Sequence, residues 1–172
     1  PATAEVMDGD WLHTGDLGSI SADGYVTITG RKKDLIITSS GKNVAPQNIE
    51  TGLRDSRWIA DAVVYGDRRP YLVCIVTLDQ DEAPRLAQRL QIPADVASMA
   101  RDERVHAAVQ ADIDANNQHF ARIEQIKRFV ILDHDLSQEA GELTPTLKVK
   151  RSIVYERYAQ IFERLYDASG SS

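Results

Sequence analysis

The apolar positions change period several times along the 172 residues. Tyr25-Val26-Thr27-Ile28 alternates after an Asp23-Gly24 turn signal, so residues 11–28 read as short strands and turns. Residues 35–38 form the next strand, Ser39-Ser40-Gly41 a turn, and residues 42–45 a returning strand. Pro46 suits a first helical position and opens a helix over "PQNIETGLR". "IADAVVYG" and "YLVCIVTL" are β-branched runs bounded by Gly66, Asp67 and Pro70, which predicts two paired strands. Ala83, Leu86, Ala87 and Leu90 recur at helical spacing, as do Val105, Ala108, Val109 and Ile113. "KRFVIL" is a further strand, and Thr144-Pro145-Thr146 reads as a helix entrance. Val154, Tyr158, Ile161 and Leu165 stripe the terminal helix, and "ASGSS" reads as a frayed tail.

From Asp34 onward this pattern predicts an α+β domain: a hairpin and a small, mostly antiparallel sheet with flanking helices. The strands before residue 33 are too few to bury a core and read as the edge of a larger domain. The chain begins "PATAEVMDGD", without an initiator Met, and is expected to be part of something longer.

Composition narrows the function. Hydrophobic residues make up 42% of the chain, enough for a core. A net charge of −6 and a pI near 5.2 argue against general nucleic-acid binding. Cations nevertheless cluster at Arg31-Lys32-Lys33 and at Lys148, Lys150 and Arg151, which suits a small anionic ligand or, more plainly, solvated charge runs. The single cysteine, Cys74, permits no internal disulfide and is expected to pack as a small apolar residue. That fits a reducing, cytoplasmic setting. No signal peptide or membrane-spanning run is legible, which leaves peripheral membrane contact open.

Three stretches carry unusual chemistry. In "WLHTGDLG", Asp16 is expected in a tight polar turn, where its carboxylate suits a pair of adjacent hydroxyls such as a ribose diol. The plainer alternative is a turn Asp that satisfies its own backbone. "GRKKDLIITSSGKNVAP" crowds cations at the domain boundary, beside an anion or in an exposed linker. In "GELTPTLKVKRS", Lys148, Lys150 and Arg151 fall near a helix start and oppose its dipole, which marks a site unless the helix begins later. His13, His106, His119 and His134 show no metal-ligand spacing, and Asp133 and Asp135 beside His134 read as a solvated turn.

These three stretches, in this order and spacing, resemble the adenylate-forming enzymes: acyl-CoA synthetases, luciferases and peptide-synthetase adenylation domains. The wording K-N-V-A-P and T-P-T-L-K-V-K-R looks most like bacterial long-chain fatty-acid–CoA ligases. The resemblance implies residues 1–32 as the incomplete edge of a large N-terminal domain, 33–34 as a hinge and 35–172 as a mobile C-terminal lid. It implies ATP, with Mg2+ held mainly by the N-terminal domain, and fatty acid and CoA as co-substrates. Adenylation with pyrophosphate release would be followed by lid rotation and thioester formation. By motif, Asp16 would hold the ribose hydroxyls, Arg31 the ribose or phosphate, and Ile28 would pack by the nucleotide. Lys33 would be the hinge residue, and Lys148 the active-site amine, with Lys150 as the alternative. Ser40 and Gly41 would line the pantetheine tunnel, and Tyr71, Lys127 and Arg128 offer further contacts to CoA. The sequence departs from the common Gly-Lys of the last motif in having Leu147-Lys148. It also lacks the phosphate-binding Gly/Ser/Thr-rich loop, so these 172 residues alone are not expected to turn over. Two other readings are a ligase that delivers acyl-AMP to a carrier-protein thiol and a stand-alone binding module without catalysis.

Overall fold

Strand pairing divides residues 7–167, the portion described by the computed structural model, into two exposed ribbons, a hairpin with one buried side and one buried sheet. The segment expected to fray, residues 168–172, lies outside the described residues. The first ribbon pairs β1 (Met7–Asp8) with β2 (Trp11–Leu12). The second pairs β3 (Asp16–Ile20) with β4 (Val26–Arg31). Both are antiparallel, and their large side chains face outward, with Trp11 79% and Tyr25 75% exposed. Isolated two-stranded ribbons bury too little apolar surface to stand alone.

One 3₁₀ turn, Lys32–Asp34, leads into a hairpin of β5 (Ile36–Ile37) and β6 (Asn43–Val44). Helix α1 (Pro46–Arg54) follows, with Pro46 in its first turn, as the sequence predicts. The main sheet has the order β7 (Ile59–Tyr65), β8 (Leu72–Leu78), β9 (Ile126–Ile131). Strand β8 is central and wholly buried, antiparallel to β7 and parallel to β9. A parallel pair needs a long crossover. Here it is supplied by α2 (Ala83–Leu90), the short α3 (Val96–Met99) and α4 (Glu103–Asn117).

Period-two alternation gives the sheet two packed faces. Ala62, Val64, Leu72, Cys74, Val76 and Phe129 join Ile49, Leu53, Leu86, Val105, Val109 and Ile113 from the crossover side. Gly52 lets α4 approach α1 closely, since a Cβ there would lie 2.2 Å from Asn116 Oδ1. Asn116 Nδ2 donates to the Ile49 carbonyl at 3.1 Å across that contact. Val63, Val73 and Ile75 face the other way, against α5 (Arg151–Arg157) and α6 (Ala159–Asp167).

The C-terminal region corrects two expectations. Thr144-Pro145-Thr146 opens no helix; α5 begins at Arg151. The terminal helix is also broken at Tyr158, where φ −100° and ψ 16° leave helical geometry. Val154, Tyr158 and Phe162 form the buried stripe across the break, while Ile161 and Leu165 are partly covered. Cys74 is buried as expected, and burial pushes its thiol pKa up. Folded protein is therefore expected to resist thiol-labelling reagents until denaturant is added; prompt labelling in native buffer would contradict this packing. No described helix is long and apolar enough to cross a membrane.

Candidate functional site

A cleft of about 660 Å³ opens between the β3–β4 ribbon and the loop before α5. Asp16, Ile28, Arg31 and Lys33, from one short stretch, and Lys148, more than a hundred residues further on, all line it. Gly15 takes the left-handed turn conformation, at φ 75°, so Asp16 is the first residue of β3 and not a turn residue as expected. Pairing places Asp16 opposite Arg31 on β4, and Arg31 Nε lies 3.2 Å from Asp16 Oδ1. The Asp16 amide donates to Thr14 Oγ1 at 3.2 Å. The carboxylate retains acceptor capacity beyond its one ion pair. Lys33 lies in the 3₁₀ turn at the same rim, beside Asp34, which accepts from Gln47 Nε2 at 2.9 Å.

Lys148 sits on a hairpin closed by a bridge between Leu143 and Val149. Two buried carboxylates pin the base of that hairpin. Glu142 Oε1 accepts from the Tyr158 hydroxyl at 2.7 Å and from Arg157 Nη1 at 3.0 Å, while its Oε2 accepts from the Ser137 amide at 2.9 Å. Burial pushes the Glu142 carboxyl up, but these donors outweigh it and hold its pKa below the ordinary glutamate value. The Glu142 carbonyl accepts from the Lys150 amide at 2.7 Å, so the alternative lysine precedes the helix and its backbone is fixed. On the other side, Arg151 forms a bidentate pair with Glu50 of α1, both contacts at 2.7 Å. The side chains are 14% and 7% exposed. Glu50 Oε1 also accepts from the Val64 amide at 2.8 Å, and the Tyr155 hydroxyl donates to the Val64 carbonyl at 2.6 Å. Burial pushes the Tyr155 pKa up to about 12, so the phenol stays protonated.

These contacts resolve the conflict between the cation cluster and the helix dipole. Lys148 and Lys150 lie outside the helix, and Arg151 is neutralised by Glu50. Arg151 is therefore a structural cation and not a free anion ligand.

The remaining expected residues lie elsewhere. Ser40 and Gly41 form the β5–β6 turn and do not line the cleft; the Thr38 and Ser40 hydroxyls hydrogen-bond at 3.0 Å. Tyr71 and Arg128 both donate to the Leu165 carbonyl, at 3.4 and 3.1 Å, near the end of α6. Lys127 Nζ donates to Gln125 Oε1 at 2.9 Å. His134 is held in place and not merely solvated: its ring nitrogens lie 2.7 Å from Asp133 Oδ1 and 2.8 Å from the Tyr158 hydroxyl. Among the described residues, no three His, Cys, Asp or Glu side chains gather as a metal site.

Comparison with known proteins defines the class of this domain. Residues 33–170 match the family of the AMP-binding enzyme C-terminal domain, and the chain belongs to that family. It is 40% identical over 168 residues to the long-chain-fatty-acid–CoA ligase FadD15 of Mycobacterium tuberculosis, a match covering 96% of this chain and 28% of that protein. It is 38% identical over 184 residues to the human long-chain-fatty-acid–CoA ligase ACSBG1, covering 95% of this chain and 25% of the relative. The chain thus spans about a quarter of the length of these relatives. Among solved structures it resembles the A domain of a carboxylic acid reductase from Segniliparus rugosus, in complex with AMP and a co-purified carboxylic acid. That likeness has a TM-score of 0.79 at 25% identity, over 98% of this chain and 25% of the other. The α+β architecture read from the sequence is the one these structures share.

Proposed function

We propose that this chain is the C-terminal part of an ATP-dependent fatty-acid–CoA ligase, with residues 1–32 as the edge of a large N-terminal domain, 33–34 as the hinge and 35–172 as the lid. The observation that carries the reading is the convergence of Asp16, Ile28, Arg31, Lys33 and Lys148 on one cleft. Asp16 accepts hydrogen bonds from the ribose hydroxyls of ATP, Arg31 contacts ribose or phosphate, and Ile28 packs beside the nucleotide. Lys148 bridges the fatty-acid carboxylate and the α-phosphate, stabilising negative charge as the acyl–phosphate bond forms and pyrophosphate leaves. The carboxylates lining the cleft are already engaged: Asp16 by Arg31, Asp34 by Gln47 and Glu50 by Arg151. In this reading Mg2+ is held mainly by the N-terminal domain.

After adenylation, the lid turns about residues 33–34. The Ser40-Gly41 turn, outside the cleft here, then faces the pantetheine arm of CoA. Gly41, at φ 75°, keeps that turn tight and free of side-chain bulk.

Lys33→Pro tests the reading in the intact ligase. Proline fixes φ near about −65° and removes the amide N–H, which restricts the torsional change a hinge must make. Pyrophosphate release is expected to survive at a good fraction of its normal rate. Acyl-CoA formation from preformed acyl-AMP is expected to collapse. Proportional loss of both half-reactions, or of neither, would sink the hinge assignment. A wild-type enzyme that releases acyl-AMP to a carrier-protein thiol and ignores CoA would replace the acceptor.

A further inference from the structure

Two turns in this chain have the same hydrogen-bond geometry but different residues at their critical position. In Thr38-Ser39-Ser40-Gly41-Lys42, the Thr38 amide donates to the Lys42 carbonyl at 3.0 Å and the Gly41 amide to the Thr38 carbonyl at 2.8 Å. The Lys42 amide also donates to Thr38 Oγ1 at 3.2 Å. In Thr144-Pro145-Thr146-Leu147-Lys148, the Thr144 amide donates to the Lys148 carbonyl at 2.8 Å and the Leu147 amide to the Thr144 carbonyl at 2.9 Å. The Lys148 amide donates to Thr144 Oγ1 at 3.0 Å. The fourth residue of each turn is left-handed, with φ 75° at Gly41 and φ 59° at Leu147.

Glycine adopts that conformation freely, whereas leucine is strained there. Burial does not offset the strain, because Leu147 is 66% exposed. It lines the cleft next to Lys148, among mostly polar side chains and the apolar Ile28 and Val149. The glycine turn in the same chain shows that the geometry does not require a side chain. A strained and exposed apolar residue with neither a local nor a packing reason points to an interaction made when the cleft is filled.

We propose that Leu147 shields the acyl–phosphate bond of the adenylate from water. This rests on the assignment of Lys148 to adenylate formation. Hydrolysis would begin as water oxygen bonds to the acyl carbonyl carbon. The carbon–oxygen bond to phosphate would then break, AMP would leave with the electron pair, and a proton would pass to solvent. An apolar side chain beside Lys148 excludes that water and leaves the adenylate for the thiol.

The test uses the intact ligase with ATP and fatty acid, before CoA is added. Pyrophosphate reports adenylate formed and free AMP reports adenylate hydrolysed. In Leu147→Gly, the ratio of AMP to pyrophosphate is expected to rise several-fold, while the melting temperature rises because the strain is relieved. Leu147→Met, which restores an apolar side chain, is expected to return the ratio to the wild-type value. An unchanged ratio in Leu147→Gly overturns the shield, as does a raised ratio that Leu147→Met shares. A wild-type protein that releases no pyrophosphate would instead refute the adenylation reading beneath it.

Discussion

Lys148→Ala is expected to slow adenylate formation roughly a hundred- to a thousandfold, or about 3–4 kcal/mol of lost charge stabilisation. The lysine lies on a hairpin fixed at its base by Glu142 and by the Arg151–Glu50 pair, so the backbone that carries its ammonium needs no further ordering. Pre-positioned charge is what makes such a group effective, since little reorganisation is needed as the reaction proceeds. The same variant should largely spare thioester formation from supplied acyl-AMP if, as proposed, the lid has by then turned the hairpin away. Pyrophosphate release and acyl-CoA formation, followed separately in the intact ligase, measure the two effects. Lys150→Ala is the necessary comparison. Its backbone amide is tied to the Glu142 carbonyl, but Lys150 is not among the residues lining the cleft. If Lys150→Ala produces the selective loss and Lys148→Ala does not, the active-site amine has been misassigned.

Helical spacing located α1 and α2 because each buries one face, whereas β8 is buried on both faces and carries no such alternation. Strand β8 was legible as a β-branched run, and α1 and α2 follow the predicted segments. The terminal region was misread because Thr144-Pro145-Thr146 has the composition of a helix entrance, yet its hydroxyls and amides close a hairpin turn. Composition alone cannot tell these two uses of threonine and proline apart. The five cleft residues were named from motifs; their convergence depends on the β3–β4 pairing and on the pinned hairpin, which no local pattern specifies.

The buried ion pair was missed, although its signal is present. Pro46, Ile49, Glu50 and Leu53 share one helical face, as do Arg151, Val154, Tyr155 and Tyr158. A charge on each of two core-facing stripes calls for a partner, because an unpaired buried charge is costly. Pairing the one cation with the one carboxylate would have joined α1 to α5 from sequence alone.

That pair supports the second large expected effect. Glu50→Ala should destabilise the fold by about 3–5 kcal/mol, the usual cost of leaving one partner of a buried ion pair uncompensated. Arg151 would keep its contacts to the Tyr155 hydroxyl and the Val64 carbonyl, at 3.2 and 3.3 Å, but neither carries a countercharge. The Val64 amide would also lose its acceptor. Burial disfavours the charged guanidinium, and in the wild-type protein Glu50 more than offsets this; with Glu50 gone the burial penalty stands, and a guanidinium is too basic to escape it by losing its proton. Replacing both partners with apolar residues, as in Glu50→Leu with Arg151→Met, removes both charges and should cost much less than Glu50→Ala. Denaturant melts of the single and double variants decide the matter. A double variant no more stable than Glu50→Ala would show that packing at this site, and not charge compensation, holds α5 against α1.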